Sequence, residues 1–222
     1  MHIRVLSEMT PRQLAEAISG FRKRHVSDWE EWLTTPPSDQ VRKFASILRR
    51  FQATRPYKLR SARAEAHQRA QHEPPFLDDL IQWARPHLLA VEGITLASIH
   101  GIRPPQRNAM EELWSIFTQL PTSHSASCVG ISKAILLLTN GRIGPAFDSN
   151  VRERLGIDRI NSSRDWIAVL AQIGSDVRCF EQKWGVPMFE AVPPQFRHLE
   201  VGRLYDMALG PRESGTLPPD GV

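Results

Sequence analysis

Val129-Gly130-Ile131-Ser132-Lys133-Ala134-Ile135-Leu136-Leu137-Leu138 is the stretch that decides the fold. From Ile131 onward it is apolar on nearly every side, and a helix without a polar face belongs in the middle of a protein, wrapped by other helices. Asn140-Gly141 stops it and Gly144-Pro145 redirects the chain. The flanking segments are helical in period as well. Trp166, Val169, Leu170, Ile173, Val177, Phe180 and Trp184 recur at spacings of three and four. Pro104-Pro105 precedes a helix with Met110, Leu113, Trp114 and Phe117 on one face, and Phe76, Leu77, Leu80, Ile81, Ala84 and Leu88 mark another that Pro86 is expected to kink or split.

Nearer the N-terminus, Thr10-Pro11-Arg12-Gln13 combines a capping residue, a first-turn proline and a glutamine three after the cap, predicting a helix to about Arg24. Ser27 and Ser38 are expected to cap two further helices, the first of them stopped by Pro36-Pro37. A last helix is expected from about Arg197 to Leu209. No strand alternation and no internal repeat emerges. The expectation is an all-α protein: a compact multi-helix domain over residues 1–210 with a buried central helix, or two helical lobes around a shared core, then a flexible tail at 211–222.

A chain of 222 residues that is 41% hydrophobic can fill such a core. No segment reaches the roughly 20 apolar residues of a membrane span, and the N-terminus lacks a secretory signal, so a cytoplasmic location without membrane contact is expected. Cys128 and Cys179 have no thiol or histidine at ligand spacing, and His67 and His72 stand five apart, so neither metal nor cofactor is expected. The cysteines and the tryptophans at helical spacing read as core.

The net charge of +4 is unevenly spread: Val41 to Glu73 holds nine Lys or Arg against two Glu, leaving the rest of the chain acidic. Residues 1–73 thus form a basic N-terminal part and 74–210 the helical core. Arg49, Arg50, Arg55, Arg60 and Arg63 are candidates for phosphate contacts with DNA, or with RNA, and a solvated helix face is the other reading of the same charges.

The central stretch, continued by Pro145-Ala146-Phe147-Asp148-Ser149-Asn150-Val151-Arg152, resembles the helix-hairpin-helix DNA glycosylase superfamily. That family reads Leu-Pro-Gly-Val-Gly-x-x-x-Ala, then an apolar helix, a short proline-containing loop and an Asp-Thr-His-Val-like segment opening the next helix. The resemblance implies a base-excision hydrolase of DNA repair. Asp148 would be the carboxylate that stabilises positive charge on the sugar or activates water, and Lys133 an amine able to attack the sugar carbon. Val129 and Gly130 would be the hairpin that meets a phosphate. Cys128 stands where the family has its first hairpin glycine, and alignment on Gly130 puts Ser132 at the family's lysine position, so Ser132 is a candidate beside Lys133. Arg142, just after the central helix, is a further candidate for backbone contact. The residues have plainer readings too: Asp148 as a helix N-cap, Lys133 as a lysine snorkelling from a buried helix, and the chain as a non-enzymatic binder of DNA or of a protein.

Overall fold

The computed structural model describes residues 3–50, 76–120 and 128–213, which form helices and connections with no strand among them. In chain order the helices are α1 (Val5–Glu8), α2 (Pro11–Ser19), α3 (Lys23–Leu33), α4 (Gln40–Arg50), α5 (Leu77–Ala90), α6 (Pro104–Phe117), α7 (Cys128–Leu138), α8 (Ser149–Leu155), α9 (Ser163–Trp184) and α10 (Val201–Leu209). Short 3-10 turns occupy Pro37–Asp39, Leu96–Gly101 and Pro194–Phe196. The fold is all-α, as its apolar periodicities predict. Among the described residues no helix is long and apolar enough to cross a membrane. Arg55, Arg60 and Arg63 lie outside the described residues, as does the stretch 121–127 that leads into α7.

The central apolar helix is α7, with Ile131, Ala134, Ile135, Leu136 and Leu137 all buried. One cluster of packed side chains runs from Ile3 to Leu209 and includes residues of α1 to α10. Each fully buried leucine or isoleucine in it contributes about 1.5–3 kcal/mol of hydrophobic stabilisation. Trp32 on α3 fastens to the end of α7, its Nε1 donating to the Leu137 carbonyl at 2.9 Å and to Asn140 Oδ1 at 3.1 Å.

Two glycines set how closely the layers approach. The 22-residue α9 crosses the Leu96–Gly101 turn at Gly174, where an added Cβ would lie 2.3 Å from the Leu96 carbonyl oxygen. At the start of α10, a Cβ on Gly202 would meet the Gly141 oxygen at 2.6 Å and the Gly144 nitrogen at 2.8 Å. Only glycine lets α10 sit against the 141–147 loop. The Arg203 amide then donates to the Gly141 carbonyl at 2.9 Å.

Several boundaries differ from the pattern. The predicted helix to Arg24 ends at Ser19, because Phe21 leaves it to form an isolated antiparallel bridge with Arg212. The chain then re-enters helix at Lys23, which puts Ser27 and Asp28 inside α3 rather than at its cap. Pro86 sits within α5 without splitting it, and α10 starts at Val201 after a 3-10 turn, later than the Arg197 expected. Pro211 to Glu213 are held in place: the Arg22 amide donates to Pro211 O at 3.2 Å and the Glu213 amide to Gly20 O at 3.0 Å. Cys179 is exposed and Cys128 half-buried, so neither is a core residue in full. Trp83 and Trp184 also lie at the surface, Trp184 because its Nε1 reaches the Met9 carbonyl at 3.0 Å across the end of α9.

Candidate functional site

Asp148 is the N-cap of α8. Its backbone is extended, Oδ1 accepts from the Val151 amide at 3.1 Å, and α8 closes on the left-handed Gly156. The second oxygen, Oδ2, lies 3.9 Å from Lys133 Nζ on α7, with the two side chains 13% and 22% exposed for Lys133 and Asp148. Capping and pairing therefore use different oxygens of one carboxylate, and the N-cap reading and the lysine pairing hold together.

Ser132 and Lys133, the two neighbouring candidates on α7, point to different surroundings. Ser132 is buried, its Oγ donating to Cys128 O at 2.6 Å and accepting from the Phe147 amide at 2.9 Å. It holds the loop before Asp148 and has no free face. Lys133, one position on and about 100° around the helix, faces Asp148 instead.

Lys133 and Asp148, but not Ser132, line a narrow hollow walled by α3, α7, α10 and the loop before α8, with Phe21, His25, Trp29 and Arg203 among its other lining residues. Its free volume is about 20 Å³, room for about one water. Arg203 is buried between aromatic faces, 4.9 Å from the Phe21 ring and 4.5 Å from the Trp29 ring. Its Nη1 donates to Asp206 Oδ2 at 2.5 Å and Nη2 to the His25 carbonyl at 3.1 Å. Asp206 Oδ1 accepts from the Ala146 amide at 3.0 Å, so the pair pins α10 to the loop that carries Asp148.

Burial shapes the acid–base character of the hollow. It lowers the Lys133 ammonium below the ordinary lysine value, against the opposing pull of Asp148 and Asp206. His25 is pushed down to about 4, first by burial and then by the charges of Arg203 and Lys133, so its ring is neutral at pH 7. Burial raises the Asp206 carboxyl, with Arg203 opposing. Burial thus disfavours the charged form of all three groups, the Lys133 amine, the His25 ring and the Asp206 carboxylate.

Other candidates are placed differently. Val129 and Gly130 belong to the first turn of α7, not to a turn before it, and Gly130 is buried. Arg142 is half-buried, with Nε donating to Thr139 O at 3.1 Å and its carbonyl accepting from the Leu96 amide at 2.8 Å. Arg50 pairs with the buried Asp28 and, at 3.1 Å, with Glu31. Arg49 is half-buried at the end of α4. His25, Arg203 and Asp206 were not among the sequence candidates. For the last two a signal existed: Arg203 and Asp206 stand three apart in a segment otherwise made of Leu204, Tyr205, Met207, Ala208 and Leu209. Among the described residues no group of three or more His, Cys, Asp or Glu could hold a metal ion.

Comparison with protein-family models, with curated proteins and with solved structures returns no match.

Proposed function

We propose that this protein binds nucleic acid and carries out a base-excision type of reaction, with Asp148 and Lys133 as its reacting pair. The observation that carries the reading is the placement of Lys133 Nζ 3.9 Å from the free oxygen of Asp148, at a hollow rather than on an open face. Cleaving an N-glycosidic bond builds positive charge on the sugar, which a fixed carboxylate stabilises, or the same carboxylate takes a proton from the attacking water. The lysine amine, eased toward its neutral form by burial, offers a second route: its nitrogen bonds to C1′ of the sugar as the C1′–N glycosidic bond breaks, and the base leaves carrying a proton from that nitrogen. A hollow with room for a single water admits that water, not a base, so on this reading the base stays at the mouth.

The test is a panel of duplexes carrying deaminated, oxidised or alkylated bases, incubated with wild type and with Asp148→Asn. Release of base by wild type alone supports the reading. Equal release by both proteins removes Asp148 from it.

The second reading is a non-enzymatic nucleic-acid binder on the same scaffold. It is favoured by the small volume of the hollow and by the structural use of Asp148 Oδ1 as a cap. Binding that weakens steeply with salt, with no product from any duplex, supports this reading over the first.

A further inference from the structure

Most cations of the described helices near α3 and α4 are already neutralised. Arg50 pairs with Asp28 and Glu31, Lys43 with Glu31, Arg42 with Asp39, Arg12 with Glu16 and Arg203 with Asp206. A cation held in such a pair must break it before it can meet a phosphate. Among the described residues, Arg22, Lys23, Arg24, Arg154 and Arg212 form no ion pair; α10 and the segment after it bring Arg22, Lys23, Arg154 and Arg212 together, and Arg24 follows Lys23 in the chain. Arg22 Nε donates to the Arg212 carbonyl at 3.4 Å, the Lys23 amide donates to Glu213 Oε1 at 2.7 Å, and Arg154 Nη1 donates to Ala208 O at 3.2 Å. None of these three contacts is an ion pair, since Arg22 and Arg154 donate to neutral carbonyls and Lys23 donates to Glu213 through its backbone amide.

This cluster borders the hollow. Arg22, Lys23 and Arg24 lie between Phe21 and His25, and Arg212 follows Pro211, while Phe21, His25 and Pro211 themselves line it. Arg22, Lys23, Arg24 and Arg154 are exposed. Five cations stand against Glu213 and the neighbouring Glu153, and of the large exposed apolar residues Leu33 is at the opposite end of α3 from Lys23 while Trp83, Leu89, Trp184 and Phe189 belong to other segments. A membrane surface would be gripped by apolar side chains as well as by charge, whereas a row of unpaired arginine and lysine without exposed apolar neighbours suits a phosphodiester backbone.

We infer that Arg22, Lys23, Arg24, Arg154 and Arg212 form a phosphate-binding rim that draws a DNA strand across the mouth of the hollow. The inference rests on the nucleic-acid reading above and assigns the contacts to this rim instead of to Arg49, Arg50 and Arg142. It requires no base-specific contact, because phosphates position a strand without reading its sequence.

The experiment measures binding of a fluorescent random-sequence duplex by anisotropy over a range of salt concentrations. It compares wild type, the triple variant Arg22→Gln/Lys23→Gln/Arg24→Gln, the double variant Arg154→Gln/Arg212→Gln and the control Arg85→Gln/Arg107→Gln on α5 and α6. Circular dichroism melting confirms that each variant is folded. The expected result is a loss of ~10-fold or more in affinity for the triple variant and a salt slope smaller by about 2 to 3, with a smaller loss for the double variant and none for the control. Wild type that binds while both rim variants keep its affinity and slope overturns the rim and leaves the nucleic-acid reading standing. Equal losses in rim and control variants overturn the rim too, since net charge alone would explain them. Wild type that binds no duplex, or binds only anionic phosphatidylserine vesicles, overturns both.

Discussion

Tyr205 and Asp206 are neighbours on α10, yet they serve two carboxylate sites of opposite character. Tyr205 donates its hydroxyl to Asp176 Oδ2 at 2.9 Å, and Asp176 also accepts from the Leu6 amide at 2.7 Å and the Ser7 amide at 2.9 Å. That carboxylate, only 1% exposed on α9, is saturated: it ties the first turn of α1 and the middle of α10 to the longest helix. Asp206, by contrast, faces the hollow where Asp148 has one oxygen committed to a cap and the other directed at a lysine. A buried carboxylate with all its donors on backbone and tyrosine is a fastening. One that keeps an oxygen toward an amine at a place solvent can enter is the carboxylate on which the proposed reaction rests.

This contrast is broken most severely by Asp176→Ala. It strips the partner from the buried Leu6 amide, the part-buried Ser7 amide and a buried hydroxyl, and is expected to cost about 3–5 kcal/mol in urea unfolding. A loss under 1 kcal/mol would mean that water replaces the carboxylate and that the site is less closed than its burial indicates. Gly202→Ala comes next, at about 1–3 kcal/mol, because its Cβ would meet the backbone at Gly141 and Gly144 and push α10 off the loop carrying Asp148. Asp148→Asn is expected to change stability by less than about 1 kcal/mol, since the amide oxygen still caps α8.

A pH titration sharpens the same comparison. The folded state holds His25 at about 4 against 6.5 for an unperturbed ring, so between those values the unfolded chain binds more protons. Stability therefore rises with pH across that window and is lost as pH falls through it. His25→Gln is expected to flatten this part of the stability profile, measured by urea midpoints at pH 4 to 7; an unchanged slope would place the histidine in water. The smallest effect belongs to the exposed Arg12 and Glu16 pair on α2, where Arg12→Ala is expected to leave the melting midpoint unchanged.

Much of the scaffold was legible in the chain. The all-round apolarity of Ile131 to Leu138 marks a central helix, and Asp148 with Gly156 marks both ends of α8, since local chemistry alone sets such caps. The helix break at Gly20 to Arg22 was not legible, because it depends on Phe21 meeting Arg212, far along the chain. The same distance hid His25 and Trp29 as walls of the hollow. Ser132 and Lys133 were adjacent alternatives in the sequence, and only the packing of α7 against Phe147 separates the buried hydroxyl from the amine that meets Asp148. Arg50 looked free in a basic run until the fold brought Asp28 and Glu31 to it.

The most direct measurement takes one preparation each of wild type and Asp148→Asn, confirms matched urea midpoints, and quantifies free base released from damaged duplexes by mass spectrometry. The account predicts release by wild type and none by the variant at nearly equal stability. Release that is undiminished in the variant, or absent from wild type on every duplex it binds, would contradict it.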